Sequence, residues 1–164
     1  MEGRPFMPLF YSHSELCILK TVPFRFACQP GCTACCSVEG YVYLSEADLR
    51  RAAAFLGLTP RTFERRYVYR TRHLLRLRKP SRAQCHFLGE CGCALHPAKP
   101  TQCRAFPFWP EFAGSRREWN KLTSYCPGVG QGGVVSEDAV LRITSEMREA
   151  YPAMAPSPRS TTSG

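Results

Sequence analysis

Apolar residues recur at helical spacing within residues 45–58, SEADLRRAAAFLGL. A helix there would carry them on one face. Its apolar members are Leu49, Ala52, Ala53 and Leu56. Ser45 can accept a hydrogen bond at the helix start, and Asp48 three residues later can return one, close to a capping box. The pattern predicts a helix that begins after Ser45 and stops at Gly57.

A second helix is predicted close behind, through RTFERRYVYR at residues 61–70, because Thr59 and Pro60 are typical of a helix start. Two helices joined by a tight turn occur in DNA-binding modules, and also as a helical hairpin beneath a metal site. A last helix is predicted in SEDAVLRITSEMREA, residues 136–150, with Ser136 as its N-cap.

Alternating patterns predict short strands between these helices. ILKTVPFRFA, residues 18–27, enters the first group of cysteines as a strand, and YVYL at residues 41–44 gives another. QCHFLG and GCALH form a predicted hairpin around Gly89 and Glu90.

Residues 76–131 are rich in Pro, Gly and Cys, which favours loops and short strands over a long helix. Within them, CRAFPFWPEF at residues 103–112 is predicted to be extended, and PGVGQGG, which begins at Pro127, to be a loop. We predict an α+β fold: a small single domain over residues 1–150 with a loop-rich, cysteine-clustered side, followed by a disordered tail over residues 151–164.

Composition narrows the class of protein. Hydrophobic residues at 44% indicate a folded globule, and no apolar run approaches the roughly 20 residues that span a bilayer. The N-terminal segment lacks the features of a secretory signal. We therefore expect a cytoplasmic protein without a membrane partner, in which ten cysteines among 164 residues favour metal binding over disulfides.

Four of these cysteines fall within nine positions of FACQPGCTACCSVEG, residues 26–40. They are Cys28, Cys32, Cys35 and Cys36. Spacings of two or three residues let successive thiolates bind one zinc ion or one iron–sulfur cluster. The C-x3-C-x2-C part has the spacing of radical SAM enzymes, but 164 residues are too few for the barrel that those enzymes need.

A second group occupies CHFLGECGCALHPAKPTQC, and a further cysteine follows in CPGVGQGG. These residues are Cys85, Cys91, Cys93, Cys103 and Cys126. Zinc ribbons pair a cysteine turn of one hairpin with a distant second turn, and such a site contributes folding energy. The pattern leaves open whether a bound metal is structural or reactive.

In this order the motifs resemble the YkgJ-type cysteine-cluster family, whose CxxCxxCC domain is described as chelating zinc or iron. The likeness runs from Cys28 to Gly130. It consists of C-x2-C-C, the segment YLSEADLRRAAAFLGL, CHFL, CALHPAKPTQCRAFPF and the closing CPG.

The resemblance implies eight thiolate ligands, enough for two four-thiolate sites or for one site and an auxiliary set. They are Cys28, Cys32, Cys35, Cys36, Cys85, Cys93, Cys103 and Cys126. Cys17 and Cys91 are left over. Lys99 stands where the family usually has Arg, and His96 where it usually has Tyr.

Adjacent side chains diverge, so we expect the sulfurs of Cys35 and Cys36 to point to different places, one to a shared centre and one to a second centre or its surroundings. His86 and His96 could each replace a thiolate on zinc. Arg104 could donate a hydrogen bond to a cysteine sulfur.

Residues 61–82 carry nine basic side chains against the single acid Glu64, in a chain of net charge +9. They form either a solvated basic face or an anion-binding surface. The alternative function is therefore a basic zinc module that docks nucleic acid or an acidic partner protein through this segment.

Sequence motifs of catalysis are missing: neither a Ser–His–Asp pattern nor a phosphate-binding glycine loop is present. We assign no catalytic residue, and an enzyme is not indicated. The sequence predicts a metal-binding protein whose clustered thiolates hold zinc, iron or an iron–sulfur centre in a structural, carrier or redox role.

Overall fold

A computed structural model of the chain describes residues 23–38, 40–78 and 84–152. In these ranges short helices alternate with small antiparallel sheets, which confirms the predicted α+β class. The helices are α1 (Ala34–Ser37), α2 (Glu46–Phe55), α3 (Pro60–Tyr67), α4 (Thr101–Ala105), α5 (Pro110–Ala113), α6 (Arg116–Lys121) and α7 (Glu137–Ala150). The strands are β1 (Phe24–Phe26), β2 (Tyr43–Leu44), β3 (Val68–Arg70), β4 (Leu75–Leu77), β5 (Leu88–Gly89), β6 (Gly92–Cys93) and β7 (Val129–Val135).

Some predictions fall outside the described residues. These are the role of Cys17, the first part of the strand predicted from residue 18, and the tail from residue 153 onward. The pattern also assigns Tyr151 to the tail, but the structure buries this side chain at 5% exposure. None of the described helices is long and apolar enough to cross a membrane.

The helical hairpin of α2 and α3 begins as predicted at both N-termini. Asp48 N–H donates to Ser45 Oγ over 3.1 Å, and Ser45 N–H donates to Asp48 Oδ2 over 3.0 Å, which completes the capping box. Helix α3 starts at Pro60, and Thr59 is its N-cap, because the Thr59 hydroxyl accepts a hydrogen bond from Thr62 N–H. These bonds join residues three apart, so the local sequence specifies them.

Helix α3 ends at Tyr67, earlier than the pattern predicts. The next residues form β3, which pairs antiparallel with β4 through Val68 and Leu77. Val68 is β-branched and buried, and such a side chain is favoured in a strand. Strand β2 pairs with the other edge of β4, so the sheet order is β2-β4-β3.

The glycine-rich segment predicted as a loop is instead largely strand β7, and this prediction is wrong. Strand β7 pairs antiparallel with β1, with Phe24 opposite Val135. The pairing register shifts near its start, where Gly130 and Gly132 have φ values of +84° and +72°. Glycines in this conformation allow a bulged strand, although locally they resemble a turn.

The segment predicted to be extended at residues 103–112 is also different, because parts of α4 and α5 lie within it. Helix α4 is preceded by Pro100, which supplies no capping side chain. The carboxylate of Asp48, which lies 53 residues earlier, accepts the Thr101 N–H over 2.9 Å instead. A long-range cap leaves no local signal, so the sequence pattern misses this helix.

The remaining predicted elements are present. Strands β5 and β6 form the predicted hairpin, with Leu88 opposite Cys93. Helix α7 begins after Ser136, whose hydroxyl accepts the Ala139 N–H over 3.3 Å. The helix buries Val140, Thr144 and Met147.

Two large groups of buried apolar side chains flank the cysteines. The first joins α2 and α3 to the three-stranded sheet, and Cys85 and Cys93 pack against it. The second surrounds the β1–β7 ribbon and the start of α7, and it includes Cys126. The cysteine-rich segments therefore connect two separate hydrophobic clusters.

At Gly128 the chain just before β7 packs closely against the end of β1 and the residue after it. A Cβ at this position would lie 2.5 Å from Ala27 O and 2.9 Å from Phe26 Cε2. Because backbone atoms cannot move aside easily, Gly128→Ala should lower the free energy of unfolding by about 1–3 kcal/mol. Denaturant unfolding followed by circular dichroism measures the loss.

Gly133→Ala is the matched control, because a Cβ there would meet no atom within 4 Å. It should change the free energy of unfolding by less than about 0.5 kcal/mol. Equal losses in the two variants would contradict the close approach at Gly128.

Candidate metal centre

The first and second groups of cysteines are brought together by backbone contacts. Helix α1 is a single turn that carries Cys35 and Cys36. Cys85 N–H donates to Cys36 O over 3.2 Å, which joins the β5–β6 hairpin to α1. Cys93 lies on β6 of the same hairpin. The hairpin and the residues just before it therefore hold two cysteines beside the two of α1.

Cys103 is positioned by the buried carboxylate of Asp48, whose exposure is 0%. Thr101 N–H and Thr101 Oγ1 both donate to Asp48 Oδ1 over 2.9 Å. Tyr151 OH donates to Asp48 Oδ2 over 2.8 Å, and Arg51 forms an ion pair with Oδ1 at 2.6 Å. Because these contacts fix the first turn of α4, they also fix the place of Cys103.

Burial alone would raise the pKa of Asp48, since a low-dielectric surrounding disfavours the charged form. The hydrogen bonds from Ser45, Tyr151 and Thr101 outweigh burial and hold the pKa below its ordinary value of 3.8. Asp48 is therefore an ionised, fully buried anchor at neutral pH.

Gln102 connects α4 to the neighbouring elements. Its side-chain oxygen accepts the Tyr43 N–H over 2.6 Å, and its own backbone N–H donates to Tyr151 OH over 3.0 Å. Trp109 Nε1–H donates to Gln102 O over 2.8 Å. Buried polar groups need such partners, so Gln102 stabilises the segment on both sides of Cys103.

Five of the eight predicted cysteines line one cavity of about 370 Å³. They are Cys35, Cys36, Cys85, Cys93 and Cys103. The remaining lining is mainly aromatic and aliphatic, with Lys99 and Gln102 among the polar members. The structure therefore brings thiols from separated parts of the chain to a common space.

Adjacent Cys35 and Cys36 both face this space. The side chain of Cys36 hydrogen-bonds to those of Cys35 and Cys93. The two neighbouring sulfurs therefore lie close to each other, while the prediction that they serve different centres stays a prediction. Successive side chains on a helical turn are about 100° apart, whereas those on a strand point to opposite faces, so a short helix lets both sulfurs reach one cavity.

Hydrogen bonding favours the thiolate at two of these positions. The bond from Cys36 lowers the pKa of Cys35 to about 6; burial opposes the shift and the Lys99 ammonium supports it. The bond from Cys36 also lowers the pKa of Cys93 to about 6; burial opposes the shift, and the backbone hydrogen bond from Leu95 and the Lys99 ammonium support it. Hydrogen bonding to both partners raises the pKa of Cys36, and burial raises that of Cys103 to about 12. Metal binding at the latter two must therefore release a proton.

Cys32 and Cys126 lie at the margin of this group, since neither lines the cavity. Burial raises the pKa of Cys126, and the charges of Cys32 and Cys35 add to the rise. Ala27 N–H donates to Gly128 O over 3.0 Å, which places the chain after Cys126 beside the chain before Cys28.

Two other cysteines are exposed. Cys28 does not line the cavity, and Cys91 lies in the turn of the β5–β6 hairpin. His96 is exposed and away from the cavity lining. His86 is exposed at the cavity and packs against Tyr67, with ring centroids 5.0 Å apart.

Arg104 has partners other than a thiol. Its guanidinium donates to Thr101 Oγ1 over 3.0 Å and to Glu146 Oε1 over 2.6 Å. These contacts link α4 to α7 at the protein surface, which is a different role from the predicted hydrogen bond to sulfur.

All eight predicted ligands lie among the described residues, and there no three His, Cys, Asp or Glu side chains are arranged closely enough to hold a metal ion as they stand. The donor chemistry nevertheless fits. Thiolates are the ligands that zinc and iron–sulfur clusters prefer, and five cysteines that can supply them share one cavity. Binding would require the thiols to turn toward a common point.

Comparison with known families agrees with this donor set. The family model "CxxCxxCC: Putative zinc- or iron-chelating domain" matches residues 27–127. The matched range includes all five cysteines of the cavity. No solved structure matches the chain.

Asp48 provides a test of the framework around Cys103. Asp48→Asn should lower the free energy of unfolding by about 3 kcal/mol, because an amide cannot accept all the hydrogen bonds that the carboxylate accepts. A folded-state pKa below the ordinary 3.8 means that the ionised group stabilises the fold above about pH 4. This contribution is lost as pH falls through the folded-state pKa, and the variant should lack that part of the acid sensitivity. Denaturant unfolding at a series of pH values measures both effects.

Asp138→Asn is a suitable control, because Asp138 is exposed in the first turn of α7. It should change the free energy of unfolding by about 0.5 kcal/mol or less. The anchoring role of Asp48 would be disproved by an Asp48→Asn variant with unchanged stability and an unchanged pH profile.

Proposed function

Because the chain belongs to the CxxCxxCC family of zinc- or iron-chelating domains, we propose that it binds a zinc or iron centre through the thiolates of the cavity. The proposal is carried by one observation: five family cysteines line a single space, and they come from α1, from the β5–β6 hairpin with the residues just before it, and from α4. Clustered thiolates suit zinc and also an iron–sulfur cluster.

The cavity cysteines are the proposed ligands, and four of the five suffice for one tetrahedral zinc or one cluster. Cys32 and Cys126 lie near enough to influence each other electrostatically, so they form the proposed auxiliary set. Cys28 is exposed and is the most peripheral of the eight. One centre with an auxiliary set therefore fits the arrangement better than two equal sites.

A carrier or redox role fits this location better than a purely structural one. Structural zinc sites are closed, whereas sites that exchange ligands keep an open side. Here the thiols border a cavity, and Cys35 is exposed. The two hydrophobic clusters also supply core packing on either side of the cysteines. We propose that the centre is accessible and serves transfer of metal or of electrons.

A cytoplasmic location is part of the proposal. All nine cysteines in the described part of the chain are free thiols. Free thiols persist in a reducing compartment, and metal ligation requires them.

The alternative, a basic module for nucleic acid or an acidic protein, stays a prediction. Arg70 forms ion pairs at 2.6 Å with Glu46 and with Glu64. The Arg76 guanidinium lies over the Tyr41 ring at 3.9 Å from its centroid. The two ion pairs reduce the positive charge that the segment offers to an anionic partner, and the Tyr41 ring covers one face of the Arg76 guanidinium.

Anaerobic purification followed by metal analysis tests the proposed function. We expect bound zinc without colour, or bound iron with the visible absorption of an iron–sulfur cluster. Cys36→Ser and Cys93→Ser should each lower the bound metal at least fivefold, because these side chains lie at the centre of the thiol contacts. Circular dichroism of the same samples measures whether the fold is retained.

Cys91→Ser is the matched control, since Cys91 is exposed and outside the cavity. It should keep the metal content of the unmodified protein. A fully folded protein without metal, in both aerobic and anaerobic preparations, would reject the proposed function.

A further inference from the structure

The cavity beside the cysteines is larger than a metal ion needs. Its volume of about 370 Å³ lies at the lower end of the range of roughly 300–1,000 Å³ that is typical of small-molecule sites. Zinc lies about 2.3 Å from its sulfur ligands, so an ion would stay close to the thiols. Much of the cavity is then left for something else.

Aromatic rings form another part of the lining. Phe106, Trp109 and Tyr125 all line the cavity. The ring centroids of Phe106 and Trp109 are 5.3 Å apart, and those of Phe106 and Tyr125 are 6.3 Å apart. Trp109 is held in place by its hydrogen bond to Gln102 O. Phe106 and Trp109 have no metal-ligating atom, and the faces and edges of all three rings suit a flat apolar group.

The lining carries charges of both signs. Lys99 and Arg78 are its cationic members. None of the described lining residues is Asp or Glu, and the anionic groups are the Cys35 and Cys93 thiolates, whose charge a bound metal would offset. Arg78 Nε donates to Val68 O over 2.9 Å. The Lys99 ammonium forms no ion pair with a carboxylate within the described ranges and favours the nearby Cys35 and Cys93 thiolates, while its backbone carbonyl accepts a hydrogen bond from Arg51 over 2.7 Å. A half-buried ammonium in this position can pair with an anionic group of a ligand.

We propose that the cavity binds a small carboxylate with a flat apolar body, whose ring contacts Trp109 and Tyr125 and whose carboxylate contacts Lys99. This site lies next to the proposed metal centre. It depends on the proposed function in one respect only, namely that a metal is bound beside it. Apolar contacts supply affinity, and the ammonium supplies the preference for an acid.

Three probes of equal ring size test the proposal: 2-naphthoate, 2-naphthylmethanol and 2-naphthylmethylamine. Each is titrated into the protein as purified anaerobically, and binding is followed by calorimetry and by saturation-transfer NMR. We expect 2-naphthoate to bind at least tenfold more tightly than the amine, with the alcohol between them. Similar affinity for acid and amine, or no binding of any probe, would overturn the proposal.

Variants locate the site. Trp109→Ala and Tyr125→Ala should each weaken 2-naphthoate binding at least fivefold; Tyr125 is 36% exposed, so its truncation is tolerated even if that of Trp109 unfolds the protein. Phe55→Ala is the aromatic control, because Phe55 is 47% exposed and outside the cavity. Unchanged binding in the folded cavity variants would place the probe elsewhere and reject the site.

Lys99→Met should remove most of the preference for the acid over the alcohol, whereas Lys121→Met should keep it, since Lys121 pairs with Glu118 at 2.8 Å. A retained preference in Lys99→Met would reject the role of this ammonium.

Metal analysis of the same samples separates the two proposals. Full metal content without probe binding rejects the proposed cavity ligand. Probe binding to a protein that contains no metal rejects the proposed metal centre but not the cavity ligand.

Discussion

The fold around the cysteines depends on one buried carboxylate. Asp48 accepts hydrogen bonds from the start of α2, from the first turn of α4 and from Tyr151 beyond the end of α7. Each donor lies on a different segment. The loss of any one of these hydrogen bonds would leave the buried charge of Asp48 incompletely paired, which is costly. This single side chain therefore sets the relative positions of three helices, and Cys103 takes its place from the second of them.

The cysteine-bearing elements are too short to be stable alone. Helix α1 has four residues, and strands β5 and β6 have two each. Their positions come from the first hydrophobic cluster, against which Cys85 and Cys93 pack, and from the backbone bond between Cys85 and Cys36. The protein consequently assembles its thiols on a packed framework, while the final convergence of the sulfurs is left to side-chain rotation.

Local rules predicted what local contacts decide. The caps at Ser45, Thr59 and Ser136 join residues three apart, and all three helices start where the sequence indicates. The order of the cysteine motifs also carried the resemblance to the family, which the match over residues 27–127 confirms. By contrast, α4 is capped from 53 residues away, and β7 exists because β1 pairs with it across the chain. The shared orientation of Cys35 and Cys36 could not be foreseen either, since it requires knowing that residues 34–37 are helical.

The bond between Tyr151 and Asp48 spans 103 residues of sequence. It also bears on the order of folding, because the ribosome releases the N-terminal part of a chain first. Every cysteine of the cavity has been synthesised before the last helix and Tyr151 emerge, so the thiols exist for a time without the completed carboxylate network. Helix α7 and Tyr151, which emerge after them, therefore complete the hydrogen bonds of Asp48 that position Cys103.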